Sequence, residues 1–232
     1  MKLSLVIPGY NEEKIIADTI AQCESFLSQN FADFELIFVD DGSKDNTKTV
    51  AQNSSKLKST KIVSYSPNRG KGCAVRTGIA ESMGDIVVYT DADLAFGLEA
   101  VKRGAEILEK NRLDLLLGSR QQDGYKNYPL IRKIASKVFL MVLRMFGLKY
   151  SDSQCGIKVM NGDFGRKVFS KCSTDRFAFD FEMILIAEKM RGKIGEFAVE
   201  IVNHRESSVN IVRDSINMLK ELVRIKKYVN KL

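Results

Sequence analysis

Carboxylates recur in this chain directly after short apolar runs. LSLVIP (3–8) leads into Gly9-Tyr10-Asn11-Glu12-Glu13, FELIFVD (34–40) into Asp41-Gly42-Ser43, and DIVVYTD (85–91) into Ala92-Asp93. Taken singly, each group has a plain structural reading. An Asp-Gly pair after a strand makes a turn or a helix cap, and a D-x-D triplet arises often by chance. Their recurrence at successive strand ends points to a shared site. Clustered carboxylates repel one another, so something must offset them, and a hard divalent cation is the simplest candidate. Gly70-Lys71-Gly72, between the second and third groups, would let a ligand approach the backbone at a helix start, with Lys71 and Arg76 adding charge. Its spacing is not that of a P-loop, and the single Gly9 after the first run excludes the G-x-G-x-x-G dinucleotide fingerprint.

The elements that must position these groups alternate from the start. Strand-like runs at 3–8, 34–40, 61–66, 85–91 and 113–119 are separated by helical stretches at about 12–29, 45–55, 71–82 and 98–110. Continuous apolar strands alternating with helices predict an α/β fold, a mainly parallel sheet covered on both faces. In such sheets ligands bind beyond the carboxyl ends of the strands, which is where the acidic groups fall. After Arg120 the texture changes. A polar loop precedes a long helix, SDSQCG, the strand IKVM (157–160), a helix from about Phe179, a strand over 194–202 and a last helix from about Val209. One domain over 1–232 is expected, with 1–119 as the half that carries the acidic strand ends and 120–232 as an elaboration that completes the same sheet.

The 232 residues carry a net charge of +7, which favours anionic partners such as nucleotides, nucleic acid or acidic lipid. Acidic strand ends argue against nucleic acid. The four cysteines lie far apart without a C-x-x-C pair, which fits a reducing, cytoplasmic setting rather than a disulfide framework or a zinc site. No run is long enough for a signal peptide or a membrane span.

VIPGYNEE, VDDGS, NRGKGCAVRTG and YTDAD resemble glycosyltransferase family 2, whose members are inverting and have the GT-A (Rossmann-like) fold. SDSQCGIKVM and RFAFDFEM are most similar to the branch of dolichyl-phosphate glucosyl- and mannosyltransferases. The resemblance implies transfer of a hexose from a UDP-glucose- or GDP-mannose-type donor. It implies that Pro8, Tyr10, Glu12 and Asp40 or Asp41 line the nucleotide pocket, with Lys71 and Ala92 beside them. Asp91 would approach the ribose and the metal, Asp93 would hold Mg²⁺ or Mn²⁺, and Asp180 occupies the position of the base. Ala95 stands where some mannosyl relatives carry Gln, and the only histidine, His204, follows a strand. Glu182 should point elsewhere on its helix, in a structural role.

A hydroxyl acceptor needs a base to remove its proton, whereas a lipid phosphate is already an anion and needs positive charge. Arg120 and Arg132 are the candidates to supply it. Segment 120–149 has seven basic residues against one acid, and Ile134, Val138, Met145 and Phe146 lie in its wide apolar sector. The last helix pairs an apolar stripe (Val212, Ile216, Leu219, Val223) with a basic one. Such helices suit an anionic membrane surface, and a peripheral enzyme using a polyprenyl phosphate is expected. A saccharide hydroxyl as acceptor, or nucleotidyl transfer to a sugar phosphate, are the alternatives.

Overall fold

The structure, a computed structural model, describes residues 1–120, 141–176, 178–203 and 211–232, the stretch 211–220 as backbone alone. Seven strands form one mixed sheet: β1 (Leu3–Gly9), β2 (Phe34–Asp40), β3 (Thr60–Ser64), β4 (Ile86–Tyr89), β5 (Leu115–Arg120), β6 (Lys158–Asn161) and β7 (Ile194–Val199). Their spatial order is β3-β2-β1-β4-β6-β5-β7. Chain order runs outward from β1 to β3 on one side, then returns to β4 on the other. The switch point therefore lies between β1 and β4, where an open sheet leaves a crevice. β6 is antiparallel to both β4 and β5; the other pairings are parallel. That one reversal sets Tyr89 directly opposite Lys158.

Helices cover both faces. α1 (Ile16–Asn30), α2 (Thr47–Ser54) and α4 (Leu98–Lys110) bury Ile20, Leu27, Ala51, Val101 and Leu108 against Leu5, Ile7 and Val88. On the other face α3 (Lys71–Ala80), α5 (Gly162–Phe169), α6 (Phe179–Lys189) and α7 (Ile211–Lys231) pack on Val6, Val39 and Tyr89. Alternation along β1 sends Leu5 and Ile7 to one core and Val6 to the other, as period-two side chains require. α6 is apolar nearly all round and is buried from Phe179 to Ala187, as such a helix must be.

Several boundaries differ from the sequence reading. β4 stops at Tyr89, so Asp91 and Asp93 sit in the loop beyond it. β7 stops at Val199 rather than 202. α5 was hidden by its glycines; Asn161 caps it by accepting a hydrogen bond from Phe164 N at 3.0 Å. In α7 the buried stripe is Leu222, Ile225 and Val229, and Val223 faces outward because α6 packs one step around the helix. Residues 141–145 are helical, with Leu143 in the core and Met141 and Met145 outside, 58% and 80% exposed. The rest of the basic segment lies outside the described residues.

Candidate active site

β1 and β2 end level with each other. Gly9 pairs with Asp40, and Asp41 N donates to Gly9 O at 2.9 Å. Pro8 is buried within β1, Tyr10 emerges at the edge, and Glu12 N is held by Thr47 Oγ1 at 2.7 Å. Both aspartates are buried and turned to the protein. Asp40 accepts from Ser43 N at 3.2 Å and Ser64 Oγ at 2.9 Å. Asp41 accepts from the Tyr65 hydroxyl (2.8 Å), Asn68 Nδ2 (2.7 Å), Arg69 N (2.9 Å) and Gly70 N (2.8 Å). One carboxylate thus shapes the whole loop that opens α3. Gly70 adopts φ +113°, and a Cβ there would lie 2.6 Å from Asp175 O, so only glycine fits.

That loop delivers Lys71 to the β4 edge, where Nζ lies 2.5 Å from Asp91 Oδ1. Burial works against the ammonium, but the carboxylates of Asp91, Asp180 and Asp93 outweigh it and hold the Lys71 pKa above its ordinary value. The other Asp91 oxygen abuts the SDSQCG loop. A Cβ on Gly156 would fall 2.1 Å from Asp91 Oδ2, so the backbone there passes flat against the carboxylate. Ala92 O accepts from Thr19 Oγ1 at 2.8 Å, and Asp93 Oδ1 accepts from Ala95 N at 3.1 Å. The strand continuation also clamps this loop: Val202 N donates to Ala95 O at 2.8 Å and Asn203 Nδ2 to Leu94 O at 3.0 Å. His204, the next residue, lies outside the described residues.

Among the described residues, no three His, Cys, Asp or Glu side chains converge as a metal cage. Two aspartates offering hard oxygens match Mg²⁺ or Mn²⁺ bound the usual way for such ions, by one or two carboxylates plus substrate phosphates and water.

Asp180 begins α6 on the far side of Lys71. Its Oδ1 accepts from the Tyr89 hydroxyl at 2.5 Å and pairs with Lys158 Nζ at 3.1 Å. Lys158 has no exposed side-chain surface. Its ammonium also donates to Ser153 O at 2.8 Å and to Cys155 O, and lies 5.9 Å from the centre of the Tyr89 ring. Burial, with Asp180 beside it, pushes the Tyr89 phenol well above its usual pKa, so it stays a donor. Glu182 faces away and accepts from Ser173 N (3.0 Å), Ser173 Oγ (2.9 Å) and Thr174 N (2.7 Å). Asp175, in the same turn, takes an ion pair from Arg76, and its carbonyl accepts from Cys73 N at 3.1 Å. The turn before Asp180 is therefore tied to the helix that carries Lys71.

Arg120 closes β5 and grips Asp152 of SDSQCG through Nε at 2.6 Å and NH2 at 3.0 Å. Burial alone would raise the Asp152 carboxyl; Arg120, helped by Lys158, more than offsets it and keeps the pKa low. Arg132 lies outside the described residues. All four thiols are free and buried, and burial pushes Cys155, beside the site, up to about 11.

The sequence reading missed Tyr89, Gly156, Lys158 and Asp175. For Lys158 a signal existed: lysine is almost never fully buried unless paired, yet it stands inside the apolar run IKVM.

The family model described as glycosyl transferase family 2 matches residues 4–172. A dolichyl-phosphate beta-glucosyltransferase of Dictyostelium discoideum is 33% identical over 97% of this chain and 73% of its own length. The Homo sapiens enzyme of that name is 32% identical, over 85% and 66%. Among solved structures, glucosyl-3-phosphoglycerate synthase from Mycobacterium tuberculosis with UDP superposes with a TM-score of 0.70 at 20% identity, covering 99% of this chain and 80% of that one. The same enzyme with Mn²⁺, UDP and glucosyl-3-phosphoglycerate gives 0.64 at 18%, covering 97% and 78%.

Proposed function

This chain belongs to glycosyl transferase family 2, and we propose that it moves a hexose from a nucleoside-diphosphate sugar to a polyprenyl phosphate of the dolichyl type. An acceptor phosphate oxygen attacks the anomeric carbon, the bond from that carbon to the diphosphate breaks, and the nucleoside diphosphate leaves. Pro8, Tyr10, Glu12 and Ala92 would line the donor end, Asp40 and Asp41 would shape it through the loops they hold, and Lys71 would meet the diphosphate. Asp91 and Asp93 would hold Mg²⁺ or Mn²⁺, which, when bound, offsets the charge growing on the leaving group. The Mn²⁺ and UDP in the related structure support that reading.

The observation that carries the acceptor class is the state of Asp180. Its Oδ1 is already shared by a phenol and a buried ammonium. A carboxylate oxygen that already takes two donors is placed to order its surroundings. A phosphate acceptor brings its own negative charge and needs no base. Arg120 would supply positive charge on the acceptor side, as would Arg132, which lies outside the described residues, and the relatives' shared name points to the same substrate. The outward-facing Met141 and Met145, beside Arg144 and Lys149, fit contact with an anionic membrane surface.

The test is kcat/KM against a polyprenyl phosphate at fixed donor. Arg120→Ala and Arg132→Ala should each lose on the order of 10²-fold, and Asp180→Asn less. Near-normal arginine variants with a collapsed Asp180→Asn would instead require a hydroxyl acceptor.

A further inference from the structure

Asp91 is hemmed in on both oxygens by distant parts of the chain. Lys71 Nζ sits 2.5 Å from Oδ1, and Oδ2 lies so near Gly156 that a side chain there would meet it. A cation reaching this carboxylate must take the place of the ammonium. Lys71 is free to yield it: its side chain is 24% exposed and that of Asp91 33%, whereas the lysine paired with Asp180 has no exposed surface. Lys71 also stands at the N-terminus of a ten-residue helix, where backbone N–H groups favour an incoming diphosphate. The two aspartates alone give a divalent cation too few ligands, so the remaining oxygens have to arrive with the nucleotide.

We infer that Lys71 is an internal counter-ion that keeps Asp91 closed to a free divalent cation and releases it when a nucleotide diphosphate draws the ammonium away. Cation and nucleotide then bind as a cooperative pair, and the coupling is reciprocal. This rests on the proposed cation at Asp91 and Asp93. Removing Lys71 should weaken nucleotide binding while strengthening binding of the bare cation, and a merely damaged site cannot produce that gain.

The experiment is titration of Mn²⁺, followed by calorimetry and by the electron paramagnetic resonance of free Mn²⁺, without nucleotide and with saturating UDP. Wild type should bind Mn²⁺ alone weakly and at least about tenfold more tightly with UDP. Lys71→Met should bind Mn²⁺ alone about tenfold more tightly than wild type and lose most of the coupling. Lys71→Arg, which keeps the charge, should behave like wild type. If Lys71→Met binds Mn²⁺ alone no better than wild type while UDP still promotes binding in both, the counter-ion role is wrong and the cation site stands. If Mn²⁺ binds neither protein even with UDP, the cation reading itself fails.

Discussion

Asp91 and Asp180 each face a lysine across the same crevice, yet the two pairs live in different surroundings. Lys71 and Asp91 meet at the rim, both partly in water, Lys71 at the start of a helix whose leading loop is held by hydrogen bonds to Asp41. Lys158 and Asp180 meet where no solvent reaches the ammonium, which is further bound to two carbonyls of the SDSQCG loop. An ion pair in water is held by a small net energy and can exchange partners. A buried pair cannot, because separating it strands a charge in low dielectric. The Asp91 edge is thus arranged to change when a ligand binds, and the Asp180 edge to stay as it folds.

Lys158→Met offers the sharpest test of that contrast. It should cost about 3–5 kcal/mol of stability by leaving Asp180 buried without its cation. Adding Asp180→Asn should restore much of the loss, which urea unfolding of the single and double variants would measure. A cost no larger than that of Lys71→Met would erase the distinction between the pairs.

Next in size is Arg120→Ala, which strips Asp152 of its bidentate partner and should cost about 1.5–3 kcal/mol at neutral pH. The Asp152 pKa is lowered in the folded protein. Its contribution is therefore fully present above the unfolded carboxyl value of about 3.9 and fades as pH falls through the lower folded value. The gap between wild type and variant should accordingly narrow below about pH 4. A gap independent of pH would mean that Arg120 stabilises by packing alone.

Gly156→Ala should cost about 1–3 kcal/mol through overpacking, because the new methyl and Asp91 Oδ2 cannot share the space. The more telling readout is nucleotide affinity, expected to fall as Asp91 is pushed aside. Unchanged affinity would show that the SDSQCG loop does not set the position of Asp91. The smallest effect belongs to Lys71→Met, about 0.2–1 kcal/mol in the same unfolding assay, as a partly exposed pair warrants.

Local pattern was enough to read the alternating strands and helices, the sheet covered on both faces, and the gathering of Asp40, Asp41, Asp91 and Asp93 near one edge. Those features follow from side-chain periodicity and from where polar residues interrupt apolar runs, both of which are written along the chain. The environment of Asp180 was not readable in that way. It depends on β6 running antiparallel between β4 and β5, which sets Lys158 against Tyr89, residues 69 positions apart in sequence. Nothing local to IKVM states which carboxylate its lysine will meet. Likewise the place of Arg120 after an apolar run does not say that it will grip Asp152, nor does the place of Asp41 say that it turns inward to build a loop. Charge and hydrogen-bonding capacity belong to a residue's type, but which partner satisfies them is decided only when the sheet brings distant segments within about 3 Å of one another.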